Sequence, residues 1–153
     1  MTRDDFATLP ELRLLAALVA GEALDQSYIG KLSVAYSVVN RVASPGAWIT
    51  WWGRNVREVI LCPKQYSCFD DPNRYDDMVL AANTPVPTFH YIGSYAESVM
   101  AAYVALNGNE PDPTHGATHY YAPKAMRPAG KVPSWVPHMR QVAAIDDQLF
   151  YVA

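Results

Sequence analysis

The 153-residue chain has only two cysteines, 18% charged residues, slightly fewer cationic than anionic side chains, and no apolar run near the roughly 20 residues a membrane-spanning helix requires. Each shortage narrows what the chain can do. Twelve Lys and Arg against fifteen Asp and Glu leave a net charge of −3, and the cations are scattered, so the basic footprint of a nucleic-acid binder is missing. Its most apolar segment is interrupted by Glu11, Arg13 and Glu22, which argues against membrane insertion. Two thiols cannot build a zinc site alone. Cys62 and Cys68 flank a short loop holding Pro63, Lys64 and Gln65, so they are either bridged in an oxidising compartment or ordinary semi-buried thiols in a reducing one. Residues Met1 to Asp5 lack the basic-then-apolar pattern of a secretory signal, so the expectation is a protein made in the cytoplasm, or one already trimmed. Half the residues are apolar, which suits one domain, 1–153, around a single core and is expected to be a monomer.

What is present reads as mostly helix. Thr8 with Glu11 predicts a capping box opening a helix over Leu9 to Ala23, with Leu12, Leu15, Leu18 and Val19 on its apolar stripe. Ser27 caps a second helix over Tyr28 to Val42, with Ile29, Leu32, Tyr36 and Val39 facing inward. Ser44 to Gly53, with Pro45, Gly46, Trp48, Trp51 and Trp52, reads as an irregular aromatic loop before a short helix from Asn55 to Leu61. Cys62 to Tyr75 is a loop, and Tyr75 to Asn83 a further short helix, broken by Pro85 and Pro87. Ser94 with Glu97 predicts another capping box for a long central helix closing at Asn107 and Gly108. Thr118 to Ala122 alternates like a strand, and Gln141 to Ile145 and Leu149 to Val152 form a hairpin turning at Asp146 and Asp147. The fold class is therefore mainly α, as α+β, with a small C-terminal β-sheet.

Glu22 stands out. At about 100° per residue it falls over Leu15 and between Leu18 and Val19, near the C-terminal end of its helix. Partial desolvation and the negative end of the helix dipole both favour the protonated acid, as a general acid requires. The plain alternative is a glutamate that snorkels to water or pairs with an arginine such as Arg41. The short connection through Asp25 and Gln26 forces a sharp turn just after it, and corners between packed helices make clefts.

Four histidines raise the alternative of a zinc amidase, but His115 and His119 sit in a strand-like, Pro- and Gly-rich stretch where four residues span roughly 13 Å, too far to share an ion. His90 and His138 adjoin proline-rich loops at the expected surface. No metal and no cofactor are implied.

Three segments together resemble the SleB-type cell wall hydrolase family, whose spore-cortex lytic members have a lysozyme and lytic transglycosylase-like fold. The first runs Gly21, Glu22, Ala23, then Gly30 and Asn40, Arg41, Val42. The second is Val56 to Ile60, then Gln65, Tyr66, Ser67 and Phe69, which in the family reads as a strand-and-loop edge of the cleft. The third is Ala105 to Gly108, then Asp112, Pro113, Thr114, Gly116 to Pro123, with Trp135 downstream. Two departures stand out: Leu24, Asp25 and Gln26 replace the usual Arg-Gly-Glu, and Ala122 replaces an asparagine.

The resemblance implies cleavage of the β-1,4 bond between N-acetylmuramic acid and N-acetylglucosamine in peptidoglycan, with Glu22 as general acid and base. In a lytic transglycosylase the muramic acid's C6 hydroxyl attacks intramolecularly and leaves a 1,6-anhydro end. A hydrolytic muramidase would need a second carboxylate, for which Asp25, Asp70 and Asp71 are candidates. A non-catalytic glycan-binding module of the same fold is the third reading. Ten tyrosines and four tryptophans suit a saccharide cleft, with Tyr120, Tyr121 and Trp135 as aromatic candidates and Gln65, Tyr66 and Ser67 as the neighbouring loop. Strand alternation lets only one of Tyr120 and Tyr121 face a given side. The partner is peptidoglycan glycan, reached after release from the cytoplasm, as a phage-type endolysin would reach it.

Overall fold

In the computed structural model, which describes residues 2–44, 49–88 and 93–153 (backbone only at 49 and 50), seven helices precede a three-stranded sheet. The helices are α1 (Arg3–Phe6), α2 (Glu11–Ala23), α3 (Tyr28–Ala43), α4 (Ile49–Trp52), α5 (Val56–Leu61), α6 (Tyr75–Asn83) and α7 (Ser94–Asn107). The strands are β1 (His119–Tyr121), β2 (Arg140–Ile145) and β3 (Gln148–Val152). Pro45, Gly46, Trp48 and His90 lie outside the described residues.

Helix α2 is the axis of the molecule, packed against α3, α5, α6 and α7. Every residue from Leu14 to Gly21 is buried, so α2 carries no apolar stripe with a wet back; it is apolar all round because it is covered all round. The central position thus belongs to α2, with α7 packed against it and α3. The N-terminal signals also differ from expectation. Pro10 precedes α2, and Thr8 instead donates its hydroxyl to the Asp5 carbonyl at 2.7 Å. The carboxylate-closed cap occurs one helix earlier, where the Asp5 Oδ2 accepts from the Thr2 amide at 2.6 Å and opens α1. Likewise α7 starts after Gly93, not with a Ser94–Glu97 box, because Glu97 is engaged by Lys31. Lys31 is 1% exposed and donates to Glu97 Oε2 at 2.9 Å and to the Gln26 carbonyl at 2.6 Å, which compensates its buried charge.

Other local signals hold. Ser27 Oγ accepts from Gly30 N at 3.1 Å and Asn55 Oδ1 from Glu58 N at 2.9 Å, capping α3 and α5. On α3, Leu32 and Tyr36 face inward and Val39 packs at the core's edge, but Ile29 is 46% exposed. Val56–Leu61 is helix, not the strand edge implied by the family resemblance. The supposed loop from Cys62 onward contains two 3₁₀ turns, Ser67–Asp70 and Pro72–Arg74. Cys62 and Cys68 are both free thiols.

The sheet has the order β1-β3-β2, antiparallel throughout, with His119 opposite Tyr151 and Ile145 opposite Gln148. The β2–β3 turn is fastened to the helices by Asp146, whose Oδ2 accepts from the Ser27 amide at 2.9 Å and its hydroxyl at 2.7 Å. Asn40 and Arg41 of α3 hold the chain entering β1: Asn40 Nδ2 donates to Asp112 Oδ2 at 2.8 Å and the Ala117 carbonyl at 2.9 Å, and Arg41 Nε to the Thr118 carbonyl at 2.7 Å. The Arg41 guanidinium lies 5.1 Å from the Trp52 ring centroid and 4.9 Å from that of Tyr66, so this buried cation is faced by two aromatic quadrupoles.

Two consequences are measurable. A Cβ on Gly21 would lie 2.6 Å from Cys68 Cβ, 2.8 Å from its Sγ and 3.0 Å from Met78 Sδ. Gly21→Ala is therefore expected to destabilise the protein by about 1–3 kcal/mol through overpacking, lowering Tm by several degrees in calorimetry; an unchanged Tm would show that the close approach is dispensable. Burial, and secondarily the Arg41 charge, depress His119 to a pKa of about 4 from its ordinary 6.5. The unfolded chain binds this proton between pH 6.5 and 4 while the fold does not, so stability falls as pH drops through that window. His119→Phe should flatten the difference in urea unfolding free energy between pH 7 and pH 4.5 relative to the parent, by up to about 3 kcal/mol.

Candidate active site

Glu22 occupies the last turn of α2, where the helix emerges from the core. One oxygen, Oε1, accepts the backbone N–H of Cys68 at 2.9 Å, and the other, Oε2, accepts the Tyr120 hydroxyl at 3.3 Å. Three elements distant in sequence meet at this carboxyl: the end of α2, the Ser67–Asp70 turn and strand β1. The geometry is set by Gly21, because only a residue without a side chain lets the Cys68 turn lie against α2 closely enough for its amide to reach the next residue's carboxyl. Arg74 Nη1 donates to the Gly21 carbonyl at 2.5 Å, satisfying one of the open carbonyls at the helix end.

The two carboxyl oxygens are chemically unequal. A backbone N–H can only donate, so Oε1 is committed as an acceptor, whereas the partner of Oε2 is a hydroxyl. Burial first, and then the nearby Glu22 charge, raise Tyr120 well above the usual tyrosine range, so its hydroxyl keeps its proton and donates to Oε2. The Cys68 thiol is likewise pushed up by burial and by Glu22, and stays neutral. Among the described residues no lysine or arginine forms an ion pair with Glu22, so the simple pairing with Arg41 does not occur.

Two hollows meet at this carboxyl. The larger, about 530 Å³, runs along Leu24, Asp25 and Gln26 to Asp77 and Asp147. The smaller, about 330 Å³, runs along Arg41, Lys64, Gln65 and Ser67 to Tyr121. Glu22, Arg74, Ala122, Ala125 and Gln148 line both. Both departures from the family pattern, at 24–26 and at 122, therefore fall on the walls of this groove.

Of the residues singled out from sequence, Glu22, Gln65, Ser67, Tyr120 and Tyr121 come together. Gln65 Oε1 accepts from Arg41 Nη1 at 3.3 Å, which turns it toward the smaller hollow. Tyr120 and Tyr121 both contribute to that wall despite strand alternation, since β1 is only three residues long and lies at the rim. Tyr66 is buried, with its hydroxyl 3.3 Å from Ser37 Oγ and its ring under Arg41. Trp135 lines neither hollow and packs with His119, Tyr121 and Tyr151 at centroid distances of 5.1, 5.9 and 5.3 Å. Of the second-carboxylate candidates, only Asp25 reaches the groove. Asp70 is paired with Arg3 at 2.8 Å and Asp71 with Arg74 at 3.3 Å. Among the described residues no group of three His, Cys, Asp or Glu is placed to hold a metal.

Sequence reasoning overlooked Arg41, Arg74, Asp77, Asp147 and Gln148 as groove residues. Two of them left a trace: Arg41 as the arginine weighed as a partner for Glu22, and Gln148 as a polar residue two positions before Phe150, on the inner face of the sheet, where an apolar residue is the norm.

The family model described as Cell Wall Hydrolase matches residues 25–151, beginning just past Glu22. The chain is 29% identical over 140 residues to the spore cortex-lytic enzyme of Halalkalibacterium halodurans, covering 92% of this chain and 34% of that protein, so it spans about a third of that relative's length. Among solved structures, the catalytic domain of the germination-specific lytic transglycosylase SleB from Bacillus anthracis superposes with a TM-score of 0.65 at 23% identity, covering 93% of each chain. The catalytic domain of Bacillus cereus SleB matches with the same TM-score and identity over 94% of this chain and 95% of that one. These structures share its α+β, lysozyme-like fold, and with the family model matching most of its length, the chain belongs to the cell wall hydrolase family.

Proposed function

We propose that this chain cleaves the β-1,4 bond between N-acetylmuramic acid and N-acetylglucosamine in peptidoglycan as a lytic transglycosylase, with Glu22 as both acid and base. The observation that carries the reading is the seating of one carboxyl at the junction of two hollows, one oxygen held by a backbone amide and the other facing the groove. A glycan threaded through both hollows would lay its linkage across Glu22. The proton on Oε2 passes to the bridging oxygen as the C1–O bond breaks and positive charge grows on the ring. The C6 hydroxyl of the same muramic acid then bonds to C1, and its proton returns to Oε2. Atoms balance without water, the acid is regenerated and the product is a 1,6-anhydro end. Intramolecular attack spares the second reactant its loss of freedom and removes the need for a second carboxylate.

The hydrolytic reading has one observation in its favour, Asp25 in the wall of the larger hollow. A muramidase leaves reducing muramic acid, so mass spectrometry of digested murein separates the two chemistries, while absence of any turbidity loss from purified sacculi would indicate a binding module. An endolysin role accompanies this proposal; it requires that the chain, expressed inside bacteria, lyse them only once the inner membrane is permeabilised.

Glu22→Gln keeps the acceptor for Cys68 N–H and removes the transferable proton, so it should fold as the parent does while cleavage falls by about 10²–10⁴-fold; retained anhydro-product formation would remove Glu22 from the chemistry. Tyr120→Phe deletes the donor to Oε2 and should slow sacculus clearance by roughly tenfold, the worth of a charge-assisted hydrogen bond. Parental rates in that variant would show that the tyrosine serves only the wall.

A further inference from the structure

The two hollows that meet at Glu22 carry opposite charge. Arg41 and Lys64 stand on the smaller one, Asp25 and Asp77 on the larger, and among the described residues none of the four forms an ion pair. The other cations on the walls are compensated, Arg74 by Asp71 and Lys124 by Asp147. The groove is therefore electrically polar along its length, positive on the Gln65 side of the acid and negative on the Asp25 side, and a cleft with such a field orients a charged ligand. Lys64 is the end of that polarity a ligand can reach. Arg41 is 4% exposed and committed to the Thr118 carbonyl and Gln65, so it supplies field and not contact. Lys64 is exposed and follows Pro63 in a turn closed by the Gln65 amide on the Cys62 carbonyl at 3.3 Å. Its φ is 63°, a left-handed conformation that glycine adopts at no steric cost. A lysine thus stands where the turn itself favours glycine, with its ammonium beside the groove. A murein strand, for its part, carries acid on alternate sugars: N-acetylglucosamine is neutral, while muramic acid has a 3-O-lactyl arm bearing a carboxylate, its own or that of an attached peptide.

We propose that the smaller hollow seats the muramic acid whose C1–O bond is cut, with Lys64 pairing the carboxylate on its lactyl arm, and that the larger, acid-walled hollow takes the neutral N-acetylglucosamine next to Glu22. The assignment rests on the glycan-cleaving reading above and deepens it, because charge then decides which way round the strand lies. Reversed threading would set the carboxylate against Asp25 and Asp77, where like charges repel. Lys64 is a specificity-determining residue and exchanges no proton with the sugar.

The test uses the full chain in a Glu22→Gln background, so that ligand is bound and not consumed. Three forms of a GlcNAc–MurNAc tetrasaccharide are titrated by calorimetry at low ionic strength: with free lactyl carboxylates, with those carboxylates methyl-esterified, and with peptide stems attached. Adding Lys64→Gly should weaken binding of an acidic form about three- to fivefold, the worth of an exposed ion pair, and change the ester by less than about twofold. The ligand-free Tm should stay level or rise, because glycine relieves the left-handed turn. Lys64→Arg keeps the charge and should keep the preference for acid over ester, and added salt should narrow it. Lysine dependence with the free acid assigns the contact to the lactyl carboxyl itself, and dependence confined to the stem-bearing form assigns it to the peptide. Lysine dependence in neither acidic form, or equal loss with the ester, would overturn the proposal. A lowered ligand-free Tm with unchanged affinities, the signature of a purely structural lysine, would overturn it as well. The glycan-cleaving reading is scored separately on the parent chain: absence of cut product from sacculi removes that reading and leaves the charge contrast in binding standing, whereas a Glu22→Gln chain that binds no form of the tetrasaccharide overturns the present proposal.

Discussion

The close approach of α2 to the Cys68 turn is the constraint on which the groove depends. With Gly21 in contact range of Cys68 Cβ and Sγ, the turn is held where its amide can donate to Glu22 Oε1. That hydrogen bond fixes one carboxyl oxygen against the turn and leaves the other beside Tyr120. The same apposition lays the Ser67–Asp70 turn along one side of the groove and leaves β1 to close the other. Without it, a glutamate at the exit of a buried helix would be a flexible surface acid.

A second layer of structure keeps the walls in place. Arg41, sunk between Trp52 and Tyr66, donates to the Thr118 carbonyl and to Gln65, so one cation couples the loop on one side of the smaller hollow to the strand on the other. Asn40 and Asp112 tie the chain before β1 to α3, and Asp112 in turn accepts from Thr114 and Gly116 at 2.8 Å. Much of the residue pattern that carries the family resemblance, Asn40-Arg41 and Asp112 to Gly116, is thus scaffold for the groove around Glu22. The positions where the chain departs from the pattern, Leu24 to Gln26 and Ala122, line the hollows.

Much of the architecture was legible in residue order. Helices α3, α5, α6 and α7 and the hairpin follow from apolar spacing, Asn55 and Ser27 caps, and the left-handed Gly108 and Asp146 that end or turn the chain. The capping boxes at Thr8 and Ser94 misled because one member of each is engaged elsewhere: Thr8 donates to the Asp5 carbonyl, and Glu97 neutralises the buried Lys31. The ring of Trp135 packs against the sheet because His119 and Tyr151 offer it an aromatic surface there. None of these competitions is local, so none is visible in a window of sequence.

By itself, the order of residues determined the helical class, the small terminal sheet and the position of Glu22 near a helix end, because apolar periodicity, caps and turns are short-range properties of neighbouring side chains. Tertiary structure alone decided that Cys68 and Tyr120 reach the carboxyl and that Tyr66 is buried while Gln65 and Ser67 face the groove. Those outcomes depend on which surfaces meet across 46 to 98 residues of chain, and such meetings are settled by packing around α2 and the buried Arg41, not by any local preference.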